Sequence, residues 1–419
     1  MRILIAGTTY APAFNGQAVF MTNLAERLAA AGHAVAVLAP SENGPAEESV
    51  VNGVRIVRPR TQKLTYIHPN GVVPLFSGAV VEDLFDRFRP QVVHIHDHYP
   101  LSWHVAQTAR RRGLPVIGSN HFMPENLAPY MPAWRFGQPV YRAIMWRWML
   151  QLYNTLDSVI VQSRTAGEIL KREGLRPRVH QISCGIDLDQ FHVDPTVDQQ
   201  AVRRQFGLDP LNKLFLFVGR VDHEKSLDVI IRALAQAPCA DCQFAIAGRG
   251  ADLANLQQLA EEMGVAQRVH FLGYVSDTDK RDLLNSADVF VMPSEAELLS
   301  IATLEAMACG RPILAARSQA LPELVTDGEN GRLFRPGDVQ DAAAALFDLA
   351  SRPQDWPAMS QASRQRAEAH GWSTVLTRYE QLFDETVHQQ PHQQPVGGVN
   401  KVRSHPKFQR SQSAQNVGL

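Results

Sequence analysis

Short unbroken apolar runs alternate along the chain with stretches whose apolar residues recur every three or four positions. That alternation predicts parallel βα units, because strands buried on both faces lose their polar positions while covering helices keep one apolar stripe. In the first half the predicted strands are RILIAG at 2–7, AVAVLAP at 34–40, VVHIHD at 92–97, PVIGSN at 115–120, SVIVQS at 158–163 and RVHQIS at 178–183. Between them AVFMTNLAERLAAAG closes on Gly32 and VVEDLFDRF stops before Pro90, each a helix with its end signal. The series restarts with LFLFVG at 214–219, QFAIAG at 243–248, VHFLGY at 269–274, DVFVMP at 288–293 and PILAAR at 312–317. SLDVIIRALAQA, LANLQQLAEEMG and DKRDLLNSA are the helices between. A break rich in Asp, Gln and Pro at 189–212 separates the two series. The fold class is therefore α/β, with two doubly wound, Rossmann-like domains, 1–190 and 191–372, facing a cleft beyond the carboxyl ends of their strands. Residues 388–419 have no apolar period and are predicted to be disordered.

Length and composition fit this division. At 419 residues the chain exceeds the size at which one core keeps growing, and 45% hydrophobic with 20% charged residues is globular. The net charge of −1 conceals an asymmetry. Residues 1–190 carry 19 of the 41 Lys and Arg and 14 of the 42 Asp and Glu, leaving 22 against 28 for the rest. A basic first half suits a polyanion or an anionic membrane surface, but the charge is too sparse for nucleic acid. No apolar stretch reaches the roughly 18 residues that span a bilayer, and MRILIAGTTY is too short for a signal peptide. Four cysteines in so long a chain point to a reducing cytoplasm, with reduced thiols. Cys239 and Cys242 form a lone C-x-x-C without the second pair that zinc would require.

The stretch PSEAELLSIATLEAMACGRP at 293–312 carries the first chemical signal, because an apolar run is bracketed by Glu297 and Glu305. Pro293 ends a strand, and a helix beginning near Leu299 or Ser300 places Glu305 inside it and Glu297 just before it. Eight residues of helix rise about 12 Å, too far for two carboxylates to share a proton or flank one bond. They fit the two ends of one long ligand, with a negative group at the helix N-terminus between them. A nucleotide sugar has that shape; the competing reading makes Glu297 a cap and Glu305 an incidental acid. VGRVDHEKSLDVII places Arg220 and Lys225 between a strand and a helix, where two cations suit a diphosphate. In IAGRG, Gly248 and Gly250 allow backbone amides close to a ligand.

In this order and spacing the motifs resemble the large group of retaining glycosyltransferases of GT-B fold, which includes sucrose-phosphate synthases and many bacterial glycolipid and envelope enzymes. The resemblance covers residues 1 to about 387, and its strongest element is P-S-x-x-E followed by L-E-A-M-A-x-G-x-P. It implies that Glu305 binds the nucleotide ribose, while Glu297 and the amides of Leu299 and Ser300 face the donor sugar. Arg220 and Lys225 match the diphosphate pair, Asn15-Gly16 matches the N-terminal glycine-rich loop, and His121 matches the histidine near the transferred sugar. A helix at 373–387 packing back on the first domain also follows. So does front-face displacement with retained configuration, in which the departing diphosphate helps deprotonate the acceptor hydroxyl. The donor expected is a UDP-linked hexose; no cofactor and no essential metal are expected. Where the family reads E-G-F-G, this chain has Glu297-Leu298-Leu299-Ser300, with bulkier side chains facing the sugar.

His94, His96, Asp97 and His98 have donor types that suit a metal, yet no dispersed carboxylates accompany them, and cleft-lining polar residues are the alternative. The stretch at 121–150 interleaves Trp134, Phe136, Tyr141, Trp146 and Trp148 with Arg135, Arg142 and Arg147. Such a mixture suits a membrane interface, and equally a helix packing the first domain. The run from His121 to Asn126 resembles the branch that glucosylates diacylglycerol, which favours a lipid or envelope acceptor and an enzyme peripheral to the inner membrane face. An NAD-dependent dehydrogenase is excluded by AGTTYAPAFNG, which lacks G-x-G-x-x-G, and by a second strand without a terminal acid. A soluble acceptor, a nucleotide-sugar epimerase and a non-catalytic nucleotide-sugar binder are the remaining alternatives.

Overall fold

The computed structural model describes residues 1–12, 16–41, 44–63, 72–74, 77–124 and 138–388. Among these, two large sheets carry the architecture. The first has eight strands in the order Arg178–Gln181, Ser158–Val161, Val116–Ser119, Val92–Ile95, Arg2–Ala6, Ala34–Leu38, Val54–Arg58, Glu47–Val51. Only the last pairing is antiparallel. The second has six parallel strands: Val269–Gly273, Cys242–Ala247, Lys213–Val218, Val289–Met292, Ile313–Ala316, Gly331–Phe334. Every strand expected from the apolar runs is present in its expected sheet. Among the parallel strands of both sheets the order reverses once, beside Arg2–Ala6 in the first and between Lys213–Val218 and Val289–Met292 in the second. Those are the positions where loops diverge and open a crevice.

Three features were not anticipated. Strands Glu47–Val51 and Val54–Arg58 form a hairpin on the first sheet's edge, turning through Asn52 and Gly53 at φ 50 and 80. Two left-handed residues in succession are what a two-residue hairpin matching the sheet's twist requires. Gly331–Phe334 closes the second sheet, and a Cβ on Gly331 would lie 1.9 Å from the Ile313 carbonyl oxygen. The break at 189–212 also contains a helix, Gln199–Gln205, capped by Asp198. Its buried Arg203 donates to the Ser286 carbonyl at 2.6 Å and pairs with Asp288 at 3.0 Å.

The first sheet has a core on each face because successive side chains alternate. Leu4 and Ala6 join one cluster with Leu101, Val105, Trp146, Met149 and Tyr153 from helices Pro100–Arg111 and Gln138–Tyr153. Ile3 and Ile5 join the other, covered by helix Gly16–Ala30 and by Trp372, Val375, Tyr379, Leu382 and Phe383 of helix Trp372–His388. The chain thus crosses between sheets twice. The crossings lie side by side: the Ile186 amide donates to the His370 carbonyl at 2.9 Å, and the Trp372 amide returns to Ile186 at 3.1 Å.

Trp372 fastens the returning helix. Its ring stacks on Phe20 at 5.8 Å, with the Arg27 guanidinium over it at 5.1 Å. Trp372→Ala should cost about 3–5 kcal/mol of stability, the range for emptying a large aromatic from a core. A lowered thermal midpoint measures it; an unchanged one would show that the helix is held elsewhere.

Candidate active site

The crevice of the second sheet is built from its two diverging loops. After Lys213–Val218 the chain passes Gly219 and Arg220, makes a single turn His223–Lys225, and enters helix Leu227–Gln236 through Ser226 at φ 50. Arg220 is half exposed, and its guanidinium is held by the carboxylates of Asp222 and Glu224. Lys225 is mostly buried, with its Nζ 2.6 Å from Glu297 and 3.7 Å from Glu224. Burial opposes the Lys225 charge, but Glu297 and Glu224 outweigh it and raise its pKa. Ser294 donates to the Glu224 carbonyl at 3.2 Å, so the two loops are also tied directly.

Glu297 does not cap the following helix. Ser300 is the cap: its Oγ accepts from the Thr303 amide at 3.3 Å, and the helix runs Ile301–Ala308. Glu297 instead pairs with Lys225, while its carbonyl accepts from Ala320 at 3.1 Å. Glu305 lies inside the helix, 8% exposed, and takes the Lys280 ammonium at 2.8 Å. Burial pushes the Glu305 pKa up, and Lys280 opposes that rise.

Gly248 and Gly250 are needed by the protein itself. A Cβ on Gly248 would sit 1.8 Å from the Gly219 carbonyl, and one on Gly250 2.1 Å from that of Val221. They let two neighbouring loops touch, a requirement distinct from close approach to a ligand. Gly16 opens helix Gly16–Ala30 with no heavy atom within 4 Å of its missing Cβ; Asn15 lies outside the described residues.

On the first sheet, Asp97 joins the loops at the reversal of strand order. Its carboxylate accepts from the Thr8 amide at 2.5 Å, the Gln17 side chain at 3.4 Å, the Tyr99 amide at 3.1 Å and the Ser102 hydroxyl at 2.6 Å. His121 lies between Gln162, 3.1 Å from its Nδ1, and His96, 3.0 Å from its Nε2. With the Gln162 amide donating, Nε2 of His121 carries the proton and donates to His96. His94 sits beside His96, ring centroids 4.1 Å apart, and bonds Ser119 at 2.8 Å. Burial lowers His94 to about 3 and His98 and His121 to about 4, with His96 well below its usual value, so all four are neutral near pH 7. This is a packed, uncharged column. Among the described residues, Cys239, Asp241 and Cys242 are the one group placed closely enough for a metal ion. The two cysteines are joined in a disulfide, contrary to the expectation of reduced thiols; three residues of separation bring their Cα atoms to 5.4 Å, within bridging range.

The two crevices meet. Leu298 packs against the core of the first sheet, and Leu299 and Ile301 touch the cores of both sheets. Glu323 reaches across to the N-terminus of helix Arg164–Arg172, accepting from the amides of Arg164 at 2.9 Å and Thr165 at 2.7 Å. Glu224, Lys280 and Glu323 carried no signal in the sequence, and Asp97, noted there only beside the histidines as a metal-type donor, instead ties the loops of the first crevice.

Residues 198–366 match the family model for glycosyl transferases group 1, and residues 14–190 match the one for glycosyltransferase family 4. The chain belongs to the group 1 glycosyltransferases. It is 29% identical over 402 residues to D-inositol 3-phosphate glycosyltransferase 2 of Catenulispora acidiphila, covering 89% of this chain and 90% of that one. To the sulfoquinovosyl transferase SQD2 of Arabidopsis thaliana it is 26% identical, over 83% of this chain and 66% of that one. Its fold superimposes on sucrose-phosphate synthase from Thermosynechococcus elongatus with a TM-score of 0.76 at 22% identity, over 93% and 100% of the two chains. In this glycosyltransferase Leu298 and Leu299, which stand where the family pattern reads G-F, are absorbed at the junction between the sheets.

The neutral histidines make stability depend on pH. Their folded pKa values lie below the ordinary 6.5, so between about 6.5 and 4 the unfolded chain binds more protons and stability falls with acid. The thermal midpoint should be lower at pH 5 than at pH 7. His98→Phe should narrow that gap, because among the described residues neither His98 nitrogen has a hydrogen-bond partner to lose and the ring already packs among Tyr99, Phe122 and Trp148. An unaltered gap would assign the acid sensitivity to other groups.

Proposed function

We propose that this glycosyltransferase moves a hexose from a nucleotide sugar, UDP-linked, to a lipid or other envelope acceptor with retained anomeric configuration. The observation that carries the reading is the Lys225 ammonium, bonded across the crevice to Glu297 and sharing its own loop with Arg220. The nucleotide ribose lies at Glu305, the diphosphate at Arg220 and Lys225, and the sugar at the amides of Leu299 and Ser300, with Glu297 and His121 alongside. Charge on the diphosphate grows as the glycosidic bond breaks, and two cations at this loop meet that charge most strongly in the transition state. They supply the positive charge that a divalent ion gives other transferases, so the reaction needs no metal. The departing diphosphate takes the acceptor's proton as the new bond forms on the same face.

Arg220→Ala and Lys225→Ala should therefore lower turnover more than they weaken donor binding, measured as kcat against the donor Kd. The NMR of the product should show the donor's anomeric configuration. Inversion would rule out the mechanism, and free UDP formed without any glycosylated product would rule out transfer.

The acceptor reading rests on helix Gln138–Tyr153. Trp146 is buried and Trp148 half-buried, so these two rings pack the domain and are not set at a membrane interface. The outward side of the helix is different: Val140 and Ile144, one turn apart, are 59% and 60% exposed, with the exposed Arg147 on the same side, while Arg142 points to the other side and pairs with Glu173 at 3.2 Å. Trp134, Arg135 and Phe136 lie outside the described residues. No described helix is long and apolar enough to cross a membrane, and this surface supports attachment at the headgroups. The name of the Catenulispora relative favours a second reading, a soluble phosphorylated cyclitol as acceptor.

Vesicle co-sedimentation separates the two. Binding should rise with anionic lipid and fall with salt, since screening at 0.1 M acts beyond about 10 Å. Val140→Ser with Ile144→Ser should weaken it without lowering the thermal midpoint. Wild-type protein that ignores anionic vesicles would remove the main support for a lipid acceptor and favour the soluble one.

A further inference from the structure

Glu305 is a buried carboxylate, and a buried carboxylate tends to take up a proton. A protonated acid accepts weaker hydrogen bonds than a carboxylate, so ribose binding at this position depends on keeping the charge. The charged groups facing Glu305 are few. Lys280 and Asp277, both from helix Asp277–Ser286, act on it directly, the first holding the charge and the second opposing it. Cys309, one turn further along the same helix as Glu305, has its thiol pushed up to about 12 and stays neutral; Arg311, Arg364 and Arg281 act on that thiol.

Lys280 is itself held in place. Its Nζ lies 2.8 Å from Glu305 Oε1, 3.5 Å from Asp277 and 4.8 Å from the centre of the Phe191 ring. Phe191 is buried in the segment linking the sheets, so the ammonium sits between an aromatic face and two carboxylates. The contact uses one oxygen of Glu305 and leaves lone pairs on the other for a pair of hydroxyls.

We infer that Lys280 is a positioning residue for nucleotide recognition, fixing the Glu305 carboxylate in the ionised and oriented form that accepts from the ribose hydroxyls. The inference rests on the placement of the ribose at Glu305 proposed above. It makes the selection of a ribose over a ribose lacking its hydroxyls a property of the pair, not of Glu305 alone.

The test is calorimetric titration of the full chain with whichever of UDP, ADP and GDP binds tightest, and with its 2′,3′-dideoxy analogue, between pH 6 and pH 9. Wild-type protein should prefer the ribose form by about tenfold or more, equivalent to ~1.4 kcal/mol, evenly across that range. Lys280→Met should lose most of the preference at pH 6 and regain it towards pH 9 as Glu305 ionises unaided. Lys280→Gln should behave alike, which keeps the test available if the methionine variant does not fold, and Lys280→Arg should keep the preference. Met and Gln variants that retain the preference at pH 6, or lose affinity for both nucleotides equally at every pH, would reduce Lys280 to a packing role. A wild-type protein with no preference would instead remove the ribose from Glu305, and with it the site assignment beneath this inference.

Discussion

A parallel sheet has two apolar faces, and this chain completes the cover of one face of its first sheet by coming back to it. Helix Trp372–His388 closes over Ile3 and Ile5 after the whole second sheet has been built. The return brings the two crossings together, joined by the backbone hydrogen bonds between Ile186 and its neighbours His370 and Trp372. Two linked crossings hold the two sheets to each other at one place. The facing of the crevices, and the contact of Leu298 and Leu299 with the first sheet, follow from that restraint.

Within the second crevice, the cations expected to meet a diphosphate are already bonded to carboxylates. Arg220 is held by Asp222 and Glu224, and Lys225 by Glu297 and Glu224. Holding long side chains in place before a ligand arrives reduces the entropy lost on binding. Arg220 is the more exposed of the pair, so it is the one that can exchange partners with least rearrangement. The Glu323 carboxylate on the amides of Arg164 and Thr165 applies the same chemistry between the sheets, an anion at a helix N-terminus.

The strands and their grouping were legible because short continuous apolar runs such as LFLFVG, bounded by turn residues, admit few fates other than a buried strand. The hairpin at Glu47–Val51 was not, since its strand is exposed on a sheet edge and carries no apolar run, although Asn52-Gly53 is a turn signal. The motif around Glu297 and Glu305 pointed to a nucleotide sugar, and Ser300 proved to be the helix cap within the expected range. The partners of those acids were hidden. Lys225 and Glu297 are 72 positions apart and Lys280 and Glu305 25 apart, separations that only the strand order converts into contacts. Gly248 and Gly250 were legible as glycines that permit close approach, but what approaches is the neighbouring loop.

The late return of helix Trp372–His388 also orders events during synthesis. Strands Arg2–Ala6, Val92–Ile95, Val116–Ser119 and Ser158–Val161 are made before the second sheet, while the helix that shields their Ile3, Val92, Ile117 and Ile160 side chains is made after it. At a translation rate of about 5–20 residues per second, the stretch from residue 187 to 371 takes on the order of 10–40 s. For that time the nascent first domain presents an oily, half-covered sheet face that its last helix has yet to reach. The second domain has its own core and can complete its folding in the meantime, so the last part of the protein to become native is the domain that was translated first.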